Sequence, residues 1–229
     1  MKARIAVLAS GGGTNLQAIL DYLAARGDDR SGDVVLVASD RTDAGALDRA
    51  RRQGIGNAVL RSTRVPDGCD ALEVLRQHRV DFIALAGYLR LLPGEVLVDY
   101  PSRVVNIHPA LLPSFGGPGM YGERVHRAVL TSGARVSGAT VHYVDEEYDR
   151  GAILAQWPVP VLADDTIQSL ASRVLKVEHV LYPRVIDAVA SGKWRHNARP
   201  NAVPEAAAFA LMHWDERRLA QDIESAFGL

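Results

Sequence analysis

Residues 4–15 read RIAVLASGGGTN. Arg4 to Ala9 is a short apolar run rich in β-branched and aliphatic side chains, and Gly11 to Gly13 break it. Leu16, Ile19, Leu20 and Leu23 then recur at helical spacing until Gly27. A strand that is apolar along its length is expected to be buried on both faces, as in a parallel sheet covered by helices. The same stretch bears on secretion. Two basic residues precede an apolar run, as in a signal peptide, but the run stops too early at Ser10 and the glycines. A first sheet strand is the better reading.

The pattern repeats outward. Asp33 to Ala38 (DVVLVA) reads as a second buried strand, Ala44 to Gln53 as a helix stopped at Gly54, and Asn57 to Leu60 as a short third strand. Ala71 to His78 is helical, Phe82 to Ala86 (FIALA) is another buried strand, and Arg103 to Ile107 continues the series. Strands alternating with helices predict an α/β, doubly wound, mostly parallel sheet. Beyond residue 135 the pattern changes. Ser137 to Val144 and Ala152 to Val161 predict a β-hairpin with a long acidic loop. Asp165 to Ala190 predicts a long helix that opens on a capping box of Asp165 and Gln168 and that Pro183 kinks or divides. Residues 192–203 read as a loop. Pro204 to Phe227 reads as a last helix, packed on the domain or against a second subunit in a homodimer.

Composition narrows the function. The chain has 229 residues, 48% of them hydrophobic, enough for one sizeable domain with or without a small appendage. With 26 basic against 27 acidic residues, nothing points to nucleic acid or to a membrane surface. No run approaches the ~18 apolar residues of a membrane helix. A single cysteine, Cys69, leaves no internal disulfide and fits a reducing compartment. The expectation is a soluble, cytoplasmic protein.

Three places carry chemistry. Ser10 to Asn15 (SGGGTN) joins a strand to a helix, where backbone N–H groups make an anion site and glycine allows close approach. It lacks both the dinucleotide signature, since position 16 is Leu, and a Walker A lysine. It is either a phosphate or carboxylate site or a tight turn capped by Thr14 or Asn15. The second place is NIHPALLP at 106–113, which follows a predicted strand. Side chains two apart in an extended segment share a side, and Pro109 biases His108 toward extended backbone. Asn106 and His108 can thus converge on one reacting centre, as oxyanion donor and proton carrier, or merely order a loop. The third is Asp149 in YDRG, able to orient a histidine and raise its pKa, or to serve a solvated turn. Asp145, Glu146 and Glu147 read as a solvated acidic patch. His126 and His142 are candidates to line a site, against ordinary packing. The seven histidines show no HxH or HExxH ligand spacing, so no metal is expected.

Taken together, four segments resemble the phosphoribosylglycinamide formyltransferases, folate-dependent enzymes of purine synthesis. They are SGGGTNLQAIL at 10–20, LAGYLRLL at 85–92, NIHPALLP at 106–113 and GATVHYVDEEYDRG at 138–151. The resemblance implies a Rossmann-type fold and transfer of a formyl group from 10-formyltetrahydrofolate, as co-substrate, to the amine of glycinamide ribonucleotide. It implies that Asn106, His108 and Asp149 are catalytic and that Gly13, Thr14 and Asn15 hold the substrate phosphate. Leu89, Arg90, Leu91 and Leu92 would border the folate pocket, with Val144, Asp145 and the residues up to Asp149 as its loop. Glu178 would touch the ribonucleotide, although a lone helix glutamate is ordinarily an exposed charge. A cis bond is implied at Leu112–Pro113. The resemblance runs to about residue 195. It divides the chain into a formyltransferase domain, 1–195, and an extension, 196–229. In that domain the N-terminal half would bind phosphate and the C-terminal half folate.

The sequence departs from the family in places. Residues 61–70 are short for it, which puts in question whether Arg64 contacts folate. Arg150 replaces the first glycine of the common DGG. Competing functions fit less well. A methionyl-tRNA formyltransferase adds a basic RNA-binding barrel of ~100 residues, which the tail is too short to form. A formyltetrahydrofolate hydrolase adds an N-terminal regulatory domain. A non-catalytic binding module has no need of Asn106, His108 and Asp149 together, and a nicotinamide dehydrogenase needs the missing dinucleotide signature.

Overall fold

The computed structural model describes residues 2–62, 65–192 and 215–228. Arg64 and residues 193–214 lie outside them, and with them the predicted loop at 192–203 and the first part of the helix predicted from Pro204. One seven-stranded sheet has the order β3-β2-β1-β4-β5-β6-β7. The chain divides into two compact units, residues 2–106 with 186–192, and 107–185 with 215–228.

In the first unit, β1 (Ala3–Leu8), β2 (Gly32–Ser39), β3 (Gly56–Val59) and β4 (Phe82–Leu85) are parallel, and β5 (Val104–His108) begins parallel to β4. Their connections carry α1 (Thr14–Arg26), α2 (Gly45–Arg52), α3 (Ala71–Gln77) and α4 (Gly94–Asp99). The uninterrupted apolar runs are explained by burial. Ile5 to Leu8, Leu36, Val37, Ile83, Ala84 and Val105 are almost wholly removed from water, with Leu16, Ile19 and Leu47 of the helices. A buried Asp187 also belongs to this unit. Its carboxylate accepts the Ser31 N–H at 2.6 Å and lies 3.7 Å from Arg26 Nε.

In the second unit, α5 (Glu123–Ser132) precedes an antiparallel hairpin of β6 (Val136–Tyr143) and β7 (Ile153–Pro160). Helix α6 (Ile167–Ala190) buries Leu170, Val174, Val177, Leu181 and Val185, the i, i+3/i+4 stripe of an amphipathic helix. The last helix, α7 (Leu219–Phe227), buries Leu219 and Ile223. It is tied to α6 by Arg184–Glu224 and, from the turn before it, Lys176–Glu216, and to β7 by Phe227 against Trp157 with ring centroids 6.3 Å apart.

The strands and helices α1, α2, α3 and α6 lie where hydrophobic patterning puts them, within one or two residues. Other features do not. The helix predicted from Pro204 is not continuous, since residues 215–218 are non-helical and α7 begins only at Leu219. Helices α4 and α5 carry too few apolar residues for their periodicity to stand out. The start of α6 is shifted by one residue. Thr166 and Ser169 exchange reciprocal hydrogen bonds, the Thr166 N–H to Ser169 Oγ and the Ser169 N–H to Thr166 Oγ1. Asp165 instead takes a two-pronged ion pair from Arg173, both contacts at 2.8 Å. Pro183 does not divide α6. Proline deprives that turn of an N–H donor, and the Arg184 guanidinium donates to the Val180 carbonyl at 3.0 Å within it.

The Arg173 bonds hold the nearly buried Asp165 carboxyl down from 3.8 to about 2. A carboxyl depressed on folding adds stability above its ordinary range and loses it as pH falls toward the folded value. Replacing Asp165 by Ala is expected to cost about 1–2 kcal/mol near neutrality. The loss should shrink between pH 4 and pH 2, as urea unfolding over that range would show.

Candidate active site

The glycine loop is built by close packing in the first unit. Gly13 sits at φ 73° as the N-cap of α1, and a Cβ there would lie 2.8 Å from Ala46 Cα. Only glycine meets both demands. Neither Thr14 nor Asn15 caps the helix, contrary to the turn reading. Gly13 holds that position without a side-chain bond, and the first turn of α1 contains no acidic residue. Such a helix start favours an anion. Arg49 of α2 donates to the Gly12 carbonyl at 2.8 Å and to Gln17 Oε1 at 2.9 Å, placing a guanidinium on the loop. Nothing in its sequence neighbourhood marked Arg49, because its partner is 37 residues away.

Ser10 links this loop to the segment after β4. Its hydroxyl donates to buried Asp40 at 2.6 Å and accepts the Leu89 N–H at 3.0 Å, while the Ser10 N–H reaches the Gly87 carbonyl at 3.0 Å. Leu89 and Leu91 are 43% and 45% exposed, an apolar pair open to a ligand. Leu92 is buried at 7%, so its side chain belongs to the core. Arg90 is half-buried between them.

Asn106 and His108 lie two apart in β5, and His108 is buried. The turn after them is held from the hairpin of the second unit. Thr140 Oγ1 donates to the Ala110 carbonyl at 2.6 Å and accepts the Leu112 N–H at 3.0 Å. Gln156 donates to Thr140 Oγ1 at 3.0 Å and to the Leu112 carbonyl at 2.9 Å. The Leu112–Pro113 bond is cis.

His108 Nε2 lies 2.9 Å from the Phe115 carbonyl, and its Nδ1 lies 3.5 Å from Asp149 Oδ2. The other carboxylate oxygen, Oδ1, lies 3.6 Å from His142 Nε2, and His142 Nδ1 meets the Tyr143 carbonyl at 2.7 Å. The Gly117 N–H donates to Asp149 Oδ2 at 2.9 Å. Asp149 itself sits at φ 57°, a left-handed position that aspartate tolerates better than most residues. A carbonyl only accepts, so each ring carries a proton on the nitrogen facing its carbonyl. A second proton on either ring would complete a charged hydrogen bond to Asp149.

Burial holds His108 below the ordinary histidine value, against the opposing pulls of Asp149 and the Phe115 carbonyl, and His142 pushes it the same way as burial. For Asp149 burial alone would raise the carboxyl, but His142, His108 and the Gly117 N–H outweigh it and keep it low. The site is an ionised carboxylate ready to stabilise one imidazolium.

Of the remaining candidates, Glu178 on α6 is 6% exposed, where an isolated helix glutamate would be expected in water. Val144 is half-buried. Asp145 is exposed and accepts the Glu147 N–H at 3.0 Å, serving the turn itself, and Glu146 and Glu147 are exposed. The lock of Thr140 and Gln156 is a contribution that the residue pattern did not rank, whereas His142, a candidate from the sequence, does lie against Asp149. His142 differs from a packing histidine only through its neighbour Asp149. Among the described residues, no group of three or more His, Cys, Asp or Glu could hold a metal, and no helix is long and apolar enough to cross a membrane.

The formyl transferase family profile matches residues 3–186. The chain belongs to the formyl transferase family. It is similar to the chloroplastic phosphoribosylglycinamide formyltransferase of Arabidopsis thaliana, at 47% identity over 206 residues, covering 87% of this chain and 70% of that one. Its fold matches the glycinamide ribonucleotide transformylase 1 of Symbiobacterium toebii with a TM-score of 0.75 and 43% identity, over 86% and 92% of the two chains. A formyltetrahydrofolate deformylase from Pseudomonas syringae has the same fold at a TM-score of 0.74. It shares 25% identity and is covered over 64% of its length, against 86% of this chain.

Two substitutions test the construction. Thr140→Val keeps the shape but leaves the buried Leu112 N–H without its hydroxyl acceptor, and is expected to cost about 1–3 kcal/mol in denaturant unfolding. Asp149→Asn keeps the left-handed backbone but removes the charge that favours the imidazolium. Steady-state kinetics should show kcat lower by roughly 10²–10⁴ with little change in Tm.

Proposed function

We propose that the chain transfers the formyl group of 10-formyltetrahydrofolate to the primary amine of glycinamide ribonucleotide, giving formylglycinamide ribonucleotide and tetrahydrofolate in purine synthesis. It is a formyl-transferring enzyme. The observation that carries this reading is the His108–Asp149 pair at the end of β5, with Asn106 two residues before the histidine in the same strand.

The reaction asks for what those groups offer. The amine lone pair attacks the formyl carbon, and the carbonyl electrons move to oxygen. The Asn106 amide donates to that oxyanion, and the positive charge of a protonated His108 beside it stabilises it electrostatically. Asp149 stabilises the imidazolium, which burial alone would disfavour. When the tetrahedral species collapses, the C–N bond to the folate nitrogen breaks. The proton lost by the attacking nitrogen is the one the leaving nitrogen gains, so the exchange needs no metal and no redox partner.

The glycine loop, with Gly13, Thr14 and Asn15 at the start of α1 and Arg49 behind it, supports a phosphate site for the ribonucleotide. Leu89, Leu91 and the backbone of Arg90 and Leu92 support an apolar contact for the folate, and Val144, Asp145 and the loop to Asp149 are proposed as its loop. Glu178, buried on α6, is proposed to contact the ribonucleotide. The N-terminal half of a 1–195 domain would thus serve the phosphate and the C-terminal half the folate. A reducing, cytoplasm-like compartment rests on the lone Cys69, and a homodimer on the tail as a second docking element. The deformylase relative supports one further reading, in which water replaces the amine.

The deciding experiment is formyl transfer from 10-formyltetrahydrofolate to glycinamide ribonucleotide, followed by folate absorbance with an amine-free control. Product that depends on the amine is expected, and folate release without it would assign the deformylase reaction instead. His108→Ala is expected to lower kcat by roughly 10²–10³ and, by leaving the Phe115 carbonyl without its ring partner, to cost about 1–3 kcal/mol of stability. Turnover close to wild type would remove His108 from the mechanism.

A further inference from the structure

Three parallel strands of the first unit, with β1 between β2 and β4, end side by side at the carboxyl edge of the sheet, where open α/β sheets bind ligands. Main-chain pairing continues past β1 to Ser10. The Ala9 N–H donates to the Ala38 carbonyl of β2 at 3.0 Å, and the Ser10 N–H to the Gly87 carbonyl beyond β4 at 3.0 Å. There the chains diverge. Ser10 leads into the glycine loop, and Gly87, in a left-handed conformation at φ 75°, turns the other chain away. Residues 86–93 are neither helix nor strand, so their shape must be held from outside.

A side chain takes over where the ladder stops. The Ser10 hydroxyl, 3% exposed as a residue, donates to Asp40 Oδ1 just past β2 at 2.6 Å and accepts the Leu89 N–H at 3.0 Å. One hydroxyl thus bridges both neighbours of β1. A hydroxyl has a single hydrogen and rotates to suit its partners. With that hydrogen drawn to a carboxylate, at the short distance typical of an O–H···O⁻ bond, a lone pair is left facing Leu89. Asp40 is buried and held in turn. Ser62 Oγ donates to its carbonyl at 3.2 Å, and the next N–H, of Arg41, reaches Ser39 Oγ at 3.1 Å. The chain of bonds from Asp40 through Ser10 ends on Leu89, half of the exposed apolar pair Leu89 and Leu91.

We propose that Ser10, its hydroxyl oriented by Asp40, is a positioning residue that fixes the backbone of Leu89 and with it the apolar contact offered to the folate. The inference rests on the formyl-transfer reading above and deepens it. Neither Ser10 nor Asp40 touches a substrate. The glycine loop is held separately, by the Ala46 N–H on the Gly11 carbonyl at 3.1 Å and by Arg49 on the Gly12 carbonyl at 2.8 Å. Loss of the hydroxyl therefore loosens the folate contact and spares the phosphate loop, although Ser10 and Gly11 are adjacent in the chain. Such a support shows in affinity for one substrate rather than in the chemical step.

The test compares the full-length wild type with Ser10→Ala, Asp40→Ala, Asp40→Asn and the double variant Ser10→Ala/Asp40→Ala. In Ser10→Ala the KM for 10-formyltetrahydrofolate should rise about tenfold, the scale of one hydrogen bond. The KM for glycinamide ribonucleotide should stay within about threefold. Asp40→Ala should show the same selectivity to a smaller degree. Asp40→Asn, whose amide oxygen still accepts the hydroxyl, should stay near wild type. Because Asp40 acts through Ser10, the double variant should raise the folate KM no further than Ser10→Ala alone. Equilibrium dialysis of tetrahydrofolate, which needs no turnover, should show the same changes in Kd. Folate affinity within about twofold of wild type in Ser10→Ala would overturn the proposal. So would equal losses toward both substrates with a lower Tm, the pattern of a core residue, an Asp40→Asn as impaired as Asp40→Ala, or additive losses in the double variant. The two readings fail separately. A wild type that binds tetrahydrofolate without amine-dependent transfer refutes the function, and dialysis still judges Ser10. A wild type that transfers formyl groups while Ser10→Ala binds folate normally refutes this inference alone. A wild type that binds no tetrahydrofolate overturns both.

Discussion

The Asp149 carboxylate accepts one backbone N–H and faces two imidazoles, each committed through its other nitrogen to a carbonyl oxygen. That arrangement sets the terms for its surroundings. Burial disfavours the charged form of His108, and the Asp149 carboxylate works against that. Buried and flanked by oxygens, neither ring can be replaced by an apolar side chain without leaving a carbonyl unsatisfied. The loop at 115–117 exists in its observed form because it must present a carbonyl to one ring and an N–H to the carboxylate. Phe115 and Asp149 both pay a left-handed backbone to do so.

Placement of that centre depends on residues with no chemistry of their own to perform. Thr140 and Gln156 belong to paired strands of the hairpin, directly opposite each other in register. Between them they satisfy three backbone groups of the turn after β5. Strand β5 therefore ends in a turn whose shape is dictated by the hairpin, a support of the kind that makes the position of a site reproducible to fractions of an ångström. Gly138, two residues before Thr140, could accept no side chain. A Cβ there would come within 2.3 Å of the Trp157 carbonyl.

Much of this was legible in the amino-acid sequence, and what was hidden shares a cause. Strands such as Val34 to Ala38 and Phe82 to Leu85 announce themselves because burial on both faces leaves no polar interruption. Asn106, His108 and Asp149 stand out by residue type and spacing, and the structure brings His108 and Asp149 together. Helix α5 did not stand out, because it buries only Val125, His126 and Val129 among charged neighbours. Arg49, Thr140 and Gln156 were invisible for another reason. Their partners lie far along the chain, and no local pattern encodes a long-range hydrogen bond. The start of α6 was misread by one residue because Asp165, Thr166 and Ser169 all have capping chemistry. Only the presence of Arg173 two turns later commits Asp165 to an ion pair. The burial of Glu178 was hidden in the same way, being a property of packing rather than of its own helix.

The nine residues of α7 are fewer than an isolated peptide needs to overcome the cost of nucleating a helix. Its helicity is therefore borrowed from α6 and β7, through Arg184, Trp157 and the burial of Leu219 and Ile223. Amide exchange in α7 then measures how often that docking face lets go, and says little about the helix propensity of its own sequence. The last ordered turn of the chain thus acts as a gauge of the element that carries Glu178.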